Sequence, residues 1–338
     1  MAMRFLVVAD THLRGTSPQG RRDDFFATCR AKLEEVVNLT EELGADALLH
    51  LGDVFDRPDL APGVVREFML ILRRCRVPVY GVVGNHDVYG HNPDSLPRTL
   101  LGLVETLGAL RLLRRGEVEV LGGPGELKVQ LTGAPFHHDI DSGDGADYVV
   151  AKDPRADVAI HMAHGMLVEK PPAPGMDYTL IERVAPRTEA DLTLVGHYHL
   201  GYSRLPLEPV PGRLFVNPGA MVRLEASLGE AARRPQVVLV EVEASGLTLR
   251  GIPLRSAPPG DEVLDRSLIE AAAYRDAQLA DFIQRVRGAW AGRSLFDLED
   301  MVAAIASSEG YPEEVKAEAL LRVGLARERL GRRDGRER

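Results

Sequence analysis

Five short apolar runs in this chain each end on a residue that can bind a metal or carry a proton. Phe5-Leu6-Val7-Val8-Ala9 leads into Asp10-Thr11-His12, and Ala47-Leu48-Leu49 leads through His50-Leu51-Gly52 to Asp53. Val79-Tyr80-Gly81-Val82-Val83 leads into Gly84-Asn85-His86-Asp87. Val158-Ala159-Ile160 leads to His164-Gly165, and Leu192-Thr193-Leu194-Val195 to Gly196-His197-Tyr198-His199. Brief apolar runs bounded by turn residues read as buried strands. Open α/β sheets place their sites just beyond the carboxyl ends of such strands. The pattern therefore predicts a metal centre built along one edge of a sheet.

The segments between these runs fix the class. Phe25, Cys29, Leu33, Val36 and Leu43 keep helical spacing over residues 21–43, and Gly44 ends the helix. Strand, helix and strand in that order predict a parallel pair. Pro62 opens a second helix with Val65, Phe68, Met69, Leu72 and Cys75 inward, and a third is expected near 95–107. Further on, 118–121 and 127–131 read as strands joined by Gly122-Gly123-Pro124-Gly125, and the polar stretch 135–148 as a long surface loop. Residues 213–216 form a strand ending in Asn217-Pro218-Gly219, and 237–243 with 247–254 form a hairpin about Ser245-Gly246. The expected fold is α/β, with two packed sheets flanked by helices. Ser256-Ala257-Pro258-Pro259-Gly260 marks a boundary, beyond which only amphipathic helices are expected. The division is a catalytic domain over 1–255, a helical region over 256–330 and a basic tail over 331–338.

With 41 basic and 50 acidic residues the net charge is −9, which excludes a generally basic nucleic-acid binder. A phosphate substrate would need its charge met locally, by metals or by a partner. The two cysteines, Cys29 and Cys75, sit among apolar neighbours as reduced core thiols. No leader and no long apolar span is evident, so the expectation is a cytoplasmic protein without membrane contact.

Two divalent ions about 3.5–4 Å apart can bind both free oxygens of a phosphate and generate the nucleophile. Such a pair needs a bridging carboxylate, for which Asp53 is the natural choice. Asp10, His12 and His199 offer ligands for one ion; Asn85, His164 and His197 offer them for the other. Mixed carboxylate, amide and imidazole donors suit manganese or iron better than calcium. His50 and His161 read as core or supporting residues, His137 and His138 as loop residues, and Asp87 as a turn-stabilising group. His91, close after the Gly-Asn-His-Asp turn, is a candidate to line the cleft.

Asp-x-His, Gly-Asp-x-x-Asp, Gly-Asn-His-Asp, His-Gly and Gly-His-x-His occur in the order found in calcineurin-like metallophosphoesterases, which the first three quarters of the chain resembles. That resemblance implies the two ligand sets above. It implies that His86 faces the scissile phosphate and assists the leaving oxygen, with Asp56 fixing its ring. It also implies that Asn217 borders the pocket. Within the superfamily, the Ala9-to-Leu13 opening, the spacing from Leu51 to Asp87 and the helical tail are most similar to SbcD-type nuclease subunits of double-strand-break repair. This implies a manganese-dependent DNA exonuclease or endonuclease, working with an SbcC-like coiled-coil ATPase and able to form a homodimer. The rival readings are a stand-alone phosphodiesterase or phosphatase on a nucleotide or phosphoprotein, and a scaffold whose tail recruits a partner.

Overall fold

The computed structural model describes residues 2–123, 125–290 and 298–334. By contacts it divides into two compact units, Met1–Arg266 and Ser267–Arg338. The first holds two six-stranded sheets. One runs in the order Gly246–Pro253, Gln236–Glu243, Met3–Val8, Ala47–His50, Val79–Gly81, Arg111–Leu112. The last four of these are mutually parallel, and the 236–253 hairpin adds antiparallel strands at one edge. The other runs Leu207–Val210, Arg213–Val216, Leu192–Gly196, Val158–His164, Val129–Ala134, Val118–Leu121. Its four central strands are parallel and both edges antiparallel.

Period-two alternation decides which core each side chain joins. Phe5, Val7 and Leu49 turn toward Leu131, Ile160, Met162, Leu192 and Leu194 of the facing sheet. Leu6, Val8 and Leu48 turn the other way, onto Phe25, Cys29, Leu33 and Val36 of the helix Phe25–Glu42 and Phe68 and Ile71 of the helix Pro62–Leu72. Full burial of each such side chain contributes roughly 1.5–3 kcal/mol. The core therefore lies between the sheets and under the helices, and the carboxyl ends of the parallel strands open on one common edge.

Several details differ from the expectation. The first helix begins at Phe25, where Asp24 caps it by accepting from the Ala27 amide at 3.1 Å. The second stops at Leu72, so Cys75 lies in the following turn, its thiol 3.6 Å from the Val77 carbonyl; both cysteines are free. The third splits at Thr99, whose backbone is extended and whose hydroxyl accepts from the Gly102 amide at 3.2 Å, into a 3-10 turn, Pro93–Arg98, and the helix Leu100–Thr106. Residues 135–148 are more than a surface loop. Ile140 and Tyr148 are buried against Ala163, Val195 and Phe215 on the outer face of the second sheet. Pro124 of the glycine-rich turn lies outside the described residues.

The short helix Gly260–Val263 belongs to the first unit: the amide of Arg22 donates to the Val263 carbonyl and that of Asp265 to Gly20. The second unit consists, among its described residues, of the helices Ser267–Trp290, Leu298–Ser308 and Glu313–Asp334, the last two packed together. Phe296 and the end of the basic tail, 335–338, lie outside the described residues. No helix among the described residues is long and apolar enough to cross a membrane.

Candidate metal centre

The loops that follow the five strands are short, and the backbone bends sharply in them. Five non-glycine residues among those described have positive φ: Asp10 at 49°, His12 at 38°, Asp53 at 53°, His91 at 58° and His197 at 83°. Each such bend costs on the order of 1–3 kcal/mol and persists only where the surroundings impose it. Four of the five are expected ligands. The turns are also zipped together. His12 and Leu13 donate their amides to the carbonyls of Asp53 and Val54 at 3.0 Å, and Asp56 donates back to Leu13 at 3.2 Å. Asp87, fully buried, accepts from the amides of Gly84 at 3.0 Å, Phe55 at 3.1 Å and Val54 at 3.3 Å. It is the turn-stabilising group that the sequence suggested.

The result is a cluster of electron-rich atoms. Asp10, His12, Asp53 and His199 bring one ligand atom each within 4.8 Å of one another, and so do Asp53, His164 and His197. Asp53 belongs to both groups. Its Oδ1 accepts from the His86 amide at 2.8 Å. Its Oδ2 is buried without a hydrogen-bond partner, 3.5 Å from His12 Nε2 and 3.4 Å from His164 Nε2. Asn85 Oδ1 lies 3.1 Å from His164 Nε2 and 2.9 Å from His197 Nδ1. On the other side His12 Nε2 and His199 Nε2 stand 3.0 Å apart, with Asp10 Oδ1 4.0 Å from the latter. The ring of His164 is fixed by donation from Nδ1 to the Leu51 carbonyl at 2.7 Å, which turns Nε2 toward the oxygens of Asn85 and Asp53. An unpartnered carboxylate oxygen between two such sets is what a pair of cations fits.

The protonation equilibria divide the candidate ligands into two groups. Burial pushes the His197 imidazole down to about 3 and that of His199 to about 4, and it holds His12 well below its usual range. All three are neutral at physiological pH, as ligands must be. Burial alone would lower His164 too, but the Asp53 carboxylate beside it raises it to about 9. Burial, helped by the charge of Asp53, lifts Asp10 to about 7. Burial opposes ionisation of Asp53 itself, yet the neighbouring His164 and His12 hold its carboxyl below the usual range. The pocket thus favours positive charge beside Asp53.

Two expected roles differ in the structure. The ring of His86 is fixed by the main-chain carbonyl of Asp56, to which Nδ1 donates at 2.8 Å, and not by the Asp56 carboxylate. That carboxylate pairs with Arg14 Nη1 at 3.0 Å. Asn217 is buried with both ends of its amide in use: Nδ2 donates to the Tyr198 carbonyl at 3.0 Å and Oδ1 accepts from the Gly219 amide at 2.8 Å. It shapes the turn that carries His197 and His199, and both polar atoms of its amide are committed to that turn. His91 is exposed, its ring edge-on to Phe136 at 5.6 Å, and Phe136 lies 6.3 Å from His197 and 6.5 Å from His164. His91 therefore stands on the rim. His50 and His161 are buried on threonine hydroxyls, Thr11 at 3.0 Å and Thr132 at 2.9 Å, as supporting groups.

Several supporting residues gave no signal in the sequence. Asp141 accepts from Met166 N at 2.6 Å, Tyr148 Oη at 2.7 Å and Thr179 Oγ1 at 2.9 Å, and so holds the turn after His164. Arg233, paired with Glu230 at 2.7 Å, donates to the carbonyls of Ala220 and Val222. The amide of Ala220 in turn donates to the His199 carbonyl at 2.9 Å. Buried Arg223 donates to Pro258 O at 2.9 Å and Arg233 O at 2.8 Å. Apart from Glu230, the partners of these two arginines are carbonyls ten or more residues away, which no local pattern reveals.

Two sheets whose strand ends deliver a buried carboxylate, amide and imidazole pocket define a metallophosphoesterase-like α/β protein. The chain belongs to the calcineurin-like phosphoesterase family, whose model matches residues 3–201, more than half of it. It is similar to the DNA double-strand break repair protein Mre11 of Methanosarcina acetivorans, 36% identical over 111 residues that cover 31% of this chain and 17% of that protein. It is also similar to Mre11 of Methanosarcina mazei, 24% identical over 264 residues covering 75% of this chain and 39% of that one. The chain thus spans less than half the length of these relatives. Among solved structures it is similar to a dimetal phosphatase from Danio rerio, with a TM-score of 0.49, 11% identity and coverage of 74% and 96%. It is similar too to the calcineurin-like phosphoesterase YfkN from Bacillus subtilis, with a TM-score of 0.45, 12% identity and coverage of 84% and 99%.

Proposed function

We propose that the protein is a phosphodiesterase that uses two divalent cations, acts on DNA ends and serves as the nuclease subunit of a repair complex. The observation that carries the hydrolase reading is Asp53 Oδ2, buried and unpartnered between two sets of ligand atoms. Asp10, His12, Asp53 and His199 would hold one ion; Asp53, Asn85, His164 and His197 would hold the other. Manganese suits this donor set. Bound there, the ions would supply Lewis acidity and an activated water. His86 stands at the edge of the pocket, half-buried and edge-on to His12 at 4.7 Å. Because Nδ1 donates to a carbonyl, Nε2 is the atom free to meet a leaving oxygen, and it delivers a proton when the ring is cationic.

The DNA substrate rests on the likeness to the Mre11 repair proteins, and the SbcC-like ATPase partner rests on the resemblance of the motifs to SbcD-type subunits, with the helices after Arg266 as its docking element. The functional limits proposed are 1–255 for the catalytic part, 256–330 for the helical region and 331–338 for the tail, although residues 256–266 pack within the first unit. The purified protein with Mn2+ should cut linear DNA in a salt-sensitive manner, and His86→Ala should abolish cutting while metal content stays near that of the wild type. Hydrolysis of an aryl phosphodiester without cutting of DNA would favour the stand-alone phosphodiesterase reading instead. No turnover with any divalent metal would leave only the scaffold.

A further inference from the structure

Asp56 divides its acceptors in a way that its motif does not suggest. Its carbonyl holds His86, its Oδ2 holds Arg14 Nη1, and its Oδ1 faces His12 Nδ1 at 3.9 Å. His12 Nδ1 is buried and has no hydrogen-bond partner, while Nε2 of the same ring points into the ligand cluster. A neutral imidazole that binds metal through Nε2 carries its hydrogen on Nδ1. Metal-ligating histidines almost always pass that hydrogen to a carboxylate, a carbonyl or water, which fixes the ring and strengthens the donor. Asp56 Oδ1 is the carboxylate oxygen in reach, and a side-chain shift of about 1 Å closes the bond. Arg14 limits where that carboxylate can turn. Its Nε and Nη2 are tied to Thr16 Oγ1 at 3.2 and 2.9 Å, and Nη1 keeps hold of Oδ2. The backbone zip between residues 12–13 and 53–56 brings Arg14 and Asp56 side by side.

We propose that the Arg14–Asp56 pair is a positioning device for His12, and so for one of the two cation sites, and that Asp56 links this site to His86 through its own main chain. The inference rests on the two-cation reading. Asp56 is then a positioning residue for a metal ligand, whereas its motif suggests a partner for the catalytic histidine. A substitution of the Asp56 side chain removes the support of His12 and leaves the carbonyl that orients His86.

Calorimetric titration of the metal-free protein with Mn2+ separates these roles. The wild type is expected to bind two ions. In Asp56→Ala one ion should bind about 10–100-fold more weakly and the other as in the wild type. The Mn2+ concentration that gives half-maximal hydrolysis should rise by the same factor. Asp56→Asn, which keeps the shape and an acceptor oxygen, should recover part of the loss and guards against a folding artefact. Arg14→Met should weaken the same ion by a smaller factor. Unchanged affinity for both ions in Asp56→Ala and Asp56→Asn, with turnover reduced at saturating Mn2+, would return the carboxylate to His86 and overturn the proposal. A wild type that binds fewer than two ions would instead overturn the two-cation reading itself.

Discussion

Gly84→Ala is the smallest change that should disable the centre. A Cβ placed on Gly84 falls well inside the 3.0 Å that such contacts respect, against Asp53 Oδ1, the Asp53 amide nitrogen and Cγ. None of these is the free end of a flexible chain. Asp53 is 1% exposed, its Oδ1 is committed to the His86 amide, and its φ of 53° leaves the backbone no easy alternative. Relief therefore requires a displacement of Asp53 on the order of 1 Å, and a misplacement of that size at a reacting centre costs about 100-fold in rate. The strain should also lower stability by roughly 1–3 kcal/mol, as overpacking of a full core does. Urea unfolding of the metal-free variant reads the stability term, and Mn2+ titration with an aryl phosphodiester assay reads the other. Both ions should bind more weakly, because Asp53 is shared. A Gly84→Ala protein with wild-type affinity for two ions and wild-type turnover would refute the assignment of Asp53 as the shared ligand.

Two further predictions probe the support around the site. Lys32 is fully buried in the core, its Nζ has no hydrogen-bond partner, and burial lowers its ammonium from 10.5 to about 7. The unfolded chain then binds more protons than the folded one between those values, so this lysine's cost is complete below pH 7 and is relieved as pH rises toward 10.5. Lys32→Met should accordingly gain up to about 4 kcal/mol at pH 7 and less than about 1 kcal/mol at pH 10.5; denaturant titrations showing no pH dependence in the difference would contradict this. Asp141→Ala strips three donors of their acceptor and should cost roughly 1–3 kcal/mol, with weaker binding of the ion held by His164. Melting and Mn2+ titration of that variant should change together.

The layout of the candidate centre was legible because each expected ligand ends a strand or follows one by one to a few residues, so sequence position nearly determines place. Asp10, Asp53, Asn85, His164, His197 and His199 meet for that reason. What proximity in sequence could not show is which atom of a residue does the work. Asp56 serves His86 through its carbonyl, and no side-chain pattern encodes a carbonyl. Asn217 lies at a strand end like the expected ligands, yet its amide is spent on the turn. The polar stretch 135–148 looked like a surface loop because its acids are numerous. One of them, Asp141, is turned inward by a tyrosine, a threonine and a main-chain amide that lie up to 38 residues away. The strain at His12 and His197 likewise depends on tertiary contacts that only the fold supplies.

The most direct test is a crystal of the protein soaked in Mn2+ and measured at the manganese absorption edge. Two anomalous peaks about 3.5–4 Å apart, with Asp53 between them and Asn85, His164 and His197 around one, are the result expected. A single peak, or a pair that does not share Asp53, would contradict it.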